Sequence, residues 1–178
     1  MILEVMGRYA GWVALYTGLA CGADWILLPE EKPDIDEMCK QLQRVYSRKK
    51  YALVIVSEGV ELPGVNTGQE ELDHFGHMIL RKREIGQTLG DLICEKTGLE
   101  TRHAVVGHIQ RGGNPTVFDR ILGLRTGVKA VELIEKENFG KMAALKGNKI
   151  VPVSLEEAIS KIKTVNKEWI DFAKIFFK

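Results

Sequence analysis

With 178 residues, 45% of them apolar, the chain is long enough for one domain of ordinary size with a full core. Lys and Arg number 25 against 24 Asp and Glu, which excludes the basic excess of a nucleic-acid partner and leaves the cations to act locally. Cys21, Cys39 and Cys94 are few, scattered and odd in number, so they are read as reduced thiols of a cytoplasmic protein; no apolar run reaches about 18 residues, so no membrane partner is expected.

The chain opens directly in a strand-like run over 2–6, with no charged leader or signal-like segment, and is read as a fragment. Gly7-Arg8-Tyr9 follows, then small and apolar residues over 10–21 predict a buried helix that Gly22 ends as a C-cap. Residues 25–29 read as a second buried strand, stopped by Pro29 and the acidic pair Glu30-Glu31. Ile35, Met38, Leu42 and Val45 have core spacing for a helix opened at Pro33-Asp34 and running to about Arg48. The β-branched run 51–56 is the clearest strand, of the type covered on both faces in a parallel sheet, and it ends at Ser57-Glu58-Gly59. A Pro- and Gly-containing loop is expected over 62–68, helical spacing over 70–95, a strand over 103–109 and a helix over 116–135. Strand alternates with helix four times, which predicts an α/β doubly wound, mainly parallel, Rossmann-like sheet. Residues 142–145 and 150–153 then form a hairpin around 146–149. Ser154 with Glu157 is read as a capping box for a helix to about Lys161, and Asn166 as the cap of a last amphipathic helix.

Chemistry is expected where strands end. In parallel sheets ligands bind outside the carboxyl ends of the strands, so Gly7-Arg8, Glu58-Gly59 and His108 with Arg111 are expected on one edge. A single strand-end arginine is commonly a solvated cap. Three such ends, each beside glycine, are read as one anion site, with Arg forks and a His donor for a phosphate and Glu58 either accepting from hydroxyls or serving as a general base. Arg102 precedes its strand and falls at the opposite edge, where it is placed to serve a neighbouring subunit. No phosphate-binding Gly-rich nucleotide loop is found. His74 and His77 lack a third ligand for a metal, the basic runs 48–50 and 81–83 suit surfaces, and Cys21 and Cys39 take core-like helix positions.

Glu4-Val5-Met6-Gly7-Arg8-Tyr9-Ala10-Gly11-Trp12, Gly22-Ala23-Asp24, Ser57-Glu58-Gly59 and Gly107-His108-Ile109-Gln110-Arg111-Gly112-Gly113-Asn114-Pro115-Thr116 together resemble 6-phosphofructokinase of the bacterial ATP-dependent type. The likeness continues through Phe118-Asp119-Arg120-Ile121-Leu122 and over 169–178, and it is with the C-terminal half or so of that enzyme. The resemblance implies a glycolytic kinase that phosphorylates fructose 6-phosphate. Met6, Gly7, Arg8 and Glu58 would contact the sugar phosphate, with Ile109 and Gln110 also substrate-binding, His108 and Arg111 would bind its 6-phosphate region, and Arg102 would reach an adjacent active site of a homotetramer. Gly22, Ala23 and Asp24 would match the magnesium side of an effector site for ADP or phosphoenolpyruvate, with Lys49 and Lys50 on its phosphates. The family's segments for ATP, Mg²⁺ and the catalytic aspartate have no counterpart here, so no catalytic residue and no metal ligand is assigned. The implied organisation is the smaller, sugar-phosphate-binding lobe over 1–111, a segment over 112–153 packed on an ATP-binding lobe, and helices over 154–178 returning to the first. A non-catalytic binding module and a pyrophosphate-dependent phosphofructokinase remain the alternatives.

Overall fold

The computed structural model describes residues 1–63 and 84–177. The expected loop over 62–68, most of the helical stretch before residue 84, His74, His77 and the basic run 81–83 fall wholly or mainly outside them. The chain divides into two compact units, Met1–Gln110 with Lys163–Lys178, and Arg111–Ile162.

The first unit is built on four parallel strands, β1 (Ile2–Val5), β2 (Trp25–Leu27), β3 (Val54–Ser57) and β4 (His103–Val105), in the order β2-β3-β1-β4. β1 pairs with β3 from Ile2↔Val54 to Val5↔Ser57 and with β4 from Ile2↔His103. The alternation of strand side chains supplies two cores. Ile2, Val54 and Val56 pack with α2 (Ile35–Lys49) and α3 (Ile85–Thr97), while Val5, Ile26 and Ile55 pack with α1 (Trp12–Cys21) and the C-terminal helix. Helices therefore cover both faces, and the expected doubly wound α/β sheet is the fold.

α2 shows how local sequence sets an element. Asp34 accepts from Glu37 N at 2.9 Å as its N-cap, Asp36 and Glu37 occupy the first turn, and Arg48 and Lys49 the last, matching the helix dipole at both ends. Gly22 ends α1 at φ 63°, as expected of a C-cap. In the C-terminal helix of this unit (Lys167–Lys174), Asn166 accepts from Trp169 N at 3.1 Å, again the expected cap.

Three strand and helix readings need correction. β3 starts at Val54 rather than Tyr51, because Leu53 N bonds the Asp24 carboxylate and Leu53 O takes Asp24 N and Trp25 N. The strand expected over 103–109 stops at Val105: Gly107 adopts φ 53° and the backbone turns into a 3₁₀ helix over Gly107–Arg111. Cys21 is exposed at the last turn of α1, not in a core, whereas Cys39 is buried.

In the second unit, Thr116 and Asp119 form a reciprocal capping box that opens α4 (Val117–Glu135). α4 packs along an antiparallel hairpin of β5 (Lys141–Lys146) and β6 (Lys149–Ser154), followed by α5 (Leu155–Ile159); the helix of Lys167–Lys174 is then α6. The capping box read at Ser154 is absent: its side chain makes no cap bond, and Leu155 N instead donates to Gly140 O, so this short helix is an extension of the hairpin. Leu133 is the one buried side chain among the described residues of this unit. Val117, Ile121, Leu124, Val128 and Val131, a stripe at alternating four and three residue steps, are 50–73% exposed.

Candidate functional site

The register places the carboxyl ends of β3, β1 and β4 side by side. The ladder runs on past the strands, with Glu58 N donating to Val5 O and Val106 N to Glu4 O, so the segments after each strand stay together. At this edge Glu58 Oε1 accepts from both Gly7 N and Arg8 N at 3.1 Å. From the other side, Gln110 Oε1 accepts from Met6 N at 2.8 Å. The segment after β1 is thus held between side chains that follow β3 and β4.

This clamp needs glycine at two places. A Cβ on Gly59 would stand 1.7 Å from Arg8 O, and one on Gly7 would stand 2.7 Å from Ala10 O. Arg8 itself lies at φ 48°, an unusual conformation for a residue with a side chain, and such strain persists where neighbouring contacts over-determine it. Glu58 and Gly59 are those neighbours. Ser57, directly before them, is fully buried with its Oγ unpartnered, 3.0 Å from where a Gly7 Cβ would stand.

Of the residues expected to act together, Met6, Gly7, Arg8, Glu58 and Gln110 are joined by these bonds. His108 and Ile109 lie in the 3₁₀ turn that carries Gln110, both exposed. Arg111 is the first residue of the second unit and is exposed. Arg102 sits at the opposite edge, its carbonyl accepting from Ile2 N and its guanidinium paired with Glu100 at 3.3 Å. The polarity of β4 therefore does keep it away from the clamp.

The second expected cluster also meets. Buried Asp24 accepts from Lys49 Nζ at 2.7 Å and from Leu53 N at 2.9 Å, so each of its oxygens holds a protein donor. That contact holds the Lys49 ammonium above its ordinary pKa. Gly22 and Lys50 both take the left-handed conformation that ends a helix, and Ala23 is buried. Among the described residues no group of three or more His, Cys, Asp or Glu side chains could hold a metal ion.

One acidic residue near the site had no role in the sequence reading. Glu4, within an otherwise apolar strand, is buried on the α3 face and accepts from Gly86 N at 2.7 Å. Burial raises its pKa above the ordinary carboxyl value; the Gly86 N–H lowers it less, and Glu58 adds to the rise. A carboxyl raised on folding contributes stability that is complete below the unfolded-state pKa of about 4.3 and is lost as pH climbs through the folded value. Glu4→Gln is therefore expected to melt increasingly above the unsubstituted protein as pH rises from acid to neutral. A melting-temperature difference that stays constant over that range would contradict the assignment.

The family model described as "Phosphofructokinase" matches residues 1–134. The chain is 42% identical over 181 residues to the pyrophosphate–fructose 6-phosphate 1-phosphotransferase of Dictyoglomus thermophilum, covering 99% of this chain and 52% of that protein. It is 41% identical over 181 residues to the ATP-dependent 6-phosphofructokinase of Corynebacterium efficiens, covering 99% and 51%. It thus spans about half the length of the curated relatives it matches. Among solved structures it is similar to the T-state phosphofructokinase of Pichia pastoris, with TM-score 0.68, 32% identity and coverage of 89% of this chain and 16% of that one. The fold is also shared with the pyrophosphate-dependent phosphofructokinase of Marinobacter aquaeolei at TM-score 0.72 and 21% identity, covering 99% and 47%.

Proposed function

The chain belongs to the phosphofructokinase family, and on that premise we propose that it supplies the fructose 6-phosphate grip of an enzyme that phosphorylates this sugar phosphate in glycolysis. The observation that carries the reading is the clamp of Glu58 Oε1 on the amides of Gly7 and Arg8. It commits one carboxylate oxygen to the loop, and in this reading the other, Oε2, accepts from a sugar hydroxyl. Arg8 and His108 supply cationic and donor groups for the phosphate, with Met6, Gly7, Ile109 and Gln110 shaping the walls. Arg102, exposed at the far edge, reaches the site of a neighbouring subunit in a homotetramer. Gly22, Ala23, Asp24, Lys49 and Lys50 form a separate effector contact for ADP or phosphoenolpyruvate.

Phosphoryl transfer in this family calls for Mg²⁺, which neutralises charge on the transferred group. The described residues do not fit that ion, and no step is routed through it. Donor and metal are assigned to the half of the relatives' length that this chain does not span, the same half that would cover the apolar stripe of α4. The resemblance implied ATP as donor. Relatives of nearly equal identity bear ATP and pyrophosphate names, four of each among eight of the strongest matches; the pyrophosphate-named proteins are the stronger matches of the eight, which favours pyrophosphate for the complete enzyme. Turnover with ATP and none with pyrophosphate, in a polypeptide of the relatives' full length, would reverse that choice.

Calorimetric titration of this chain tests the grip. Fructose 6-phosphate is expected to bind, unphosphorylated fructose to bind far more weakly, and Glu58→Gln to weaken fructose 6-phosphate roughly ten-fold or more, since a hydrogen bond to a charged group contributes about 1.5–3 kcal/mol. Equal binding of the two sugars, or an unchanged affinity in the variant, would defeat the site.

A further inference from the structure

Glu30 follows β2 and lies outside the clamp, yet its Oε1 accepts from two backbone amides far apart in the chain, Gly11 N at 2.9 Å and Val165 N at 2.8 Å. Gly11 closes the loop that begins at Met6 and is the N-cap of α1, which has no side-chain cap of its own. Glu30 takes over that task from another strand, and its charge suits the helix N-terminus. The approach is close: a Cβ on Gly11 would stand 2.7 Å from Glu30 Oε2, an oxygen that is buried without a partner. An orphaned buried oxygen is costly and calls for an explanation.

Val165 belongs to the segment that leads into α6, and this tail is tied down repeatedly around the same place. Lys163 O accepts from Trp12 Nε1 at 2.6 Å, Lys174 Nζ meets Glu31 Oε1 at 2.8 Å, and Trp169 and Phe177 lie against Tyr16 and Trp25 with ring centroids 5.6 and 4.9 Å apart. A single oxygen therefore serves both the docked tail and the far end of the loop. Within that loop, Ala10 N also bonds Gly7 O. Gln110 holds the loop at Met6, Glu58 at Gly7 and Arg8, and Glu30 at Gly11, so the left-handed Arg8 is fixed from both sides.

We infer that Glu30 is a positioning residue for the sugar-phosphate grip: through one shared oxygen it makes the docking of the C-terminal segment hold the Gly7–Gly11 loop, and with it Arg8, in binding geometry. The inference rests on the fructose 6-phosphate reading. It separates reach from charge, because glutamine keeps an oxygen at the same reach whereas aspartate keeps the charge but is one methylene too short to span both amides.

The test uses the whole chain with Glu30→Gln and Glu30→Asp, reading the dissociation constant for fructose 6-phosphate and amide hydrogen exchange by NMR. Glu30→Gln is expected to bind within about three-fold of the unsubstituted chain, and Glu30→Asp roughly ten-fold more weakly, the loss of about one hydrogen bond to a charged acceptor. In Glu30→Asp, exchange is expected to accelerate together at Val165, Gly11 and Arg8. Unchanged affinity in Glu30→Asp, or acceleration that stops at Val165 and Gly11 and leaves Arg8 protected, overturns the inference. If the unsubstituted chain does not bind fructose 6-phosphate, the functional reading falls on that result, and exchange alone then decides the coupling: joint acceleration reaching Arg8 upholds it and its absence there overturns it.

Discussion

Gly59→Ala is expected to lower stability by about 3 kcal/mol, at the upper end of the cost of overpacking a close-packed site. The new Cβ would stand 1.7 Å from Arg8 O and 2.8 Å from Arg8 C, and both are backbone atoms that no rotamer change can move aside. The loop must shift, and with it the amides that Glu58 holds. For a chain of this size about 2–4 °C of melting temperature accompanies each kcal/mol, so a fall of roughly 6–12 °C is expected, together with loss of fructose 6-phosphate binding. Gly98→Ala provides the control. Gly98 has φ 71° but nothing within 4 Å of its Cβ, so alanine there meets only the left-handed backbone penalty of about 1–2 kcal/mol. Thermal unfolding followed by circular dichroism compares the two. Equal shifts would mean that the contact between Gly59 and Arg8 does not matter.

The second large effect belongs to α4. Leu124 is 71% and Val128 61% exposed, in a stripe whose spacing is that of a helix seam. Its unit has a single buried side chain among the described residues, so it has little core of its own to resist association. The chain is expected to self-associate with rising concentration, and Leu124→Glu with Val128→Glu to return it to a monomer while the melting of the first unit is preserved. Sedimentation equilibrium reads this directly. A monomer at all concentrations in the unsubstituted chain would contradict the expectation.

Much of this was legible in the residues because local rules and burial agreed. The β-branched run before Ser57, the left-handed Gly22, Asp34 and Asn166 as caps, and the core spacing of α2 each reappear in the structure. The strand-end argument needed only that the strands be parallel, and β1 between β3 and β4 meets that condition. What sequence spacing could not show is tertiary. Val105 ends β4 because Gly107 turns the backbone, a choice that a run of apolar residues conceals. Glu30 looked like a strand-stopping acid, and nothing nearby in sequence reveals its partner Val165. Glu4 did carry a signal, a carboxylate inside an apolar strand, although its partner Gly86 lies beyond the reach of pattern reading. The phosphoryl donor was not legible at all, because relatives similar to this chain to nearly the same degree bear both names.

The central claim is that the segments after β1, β3 and β4 form one hollow for a phosphorylated hexose. Backbone amide shifts recorded during a fructose 6-phosphate titration address it most directly. Saturable changes centred on Gly7, Arg8, Gly59 and His108, with Asp24 and Lys49 unmoved, are the expected result. Changes scattered over both edges of the sheet, or none at those four amides, would contradict it.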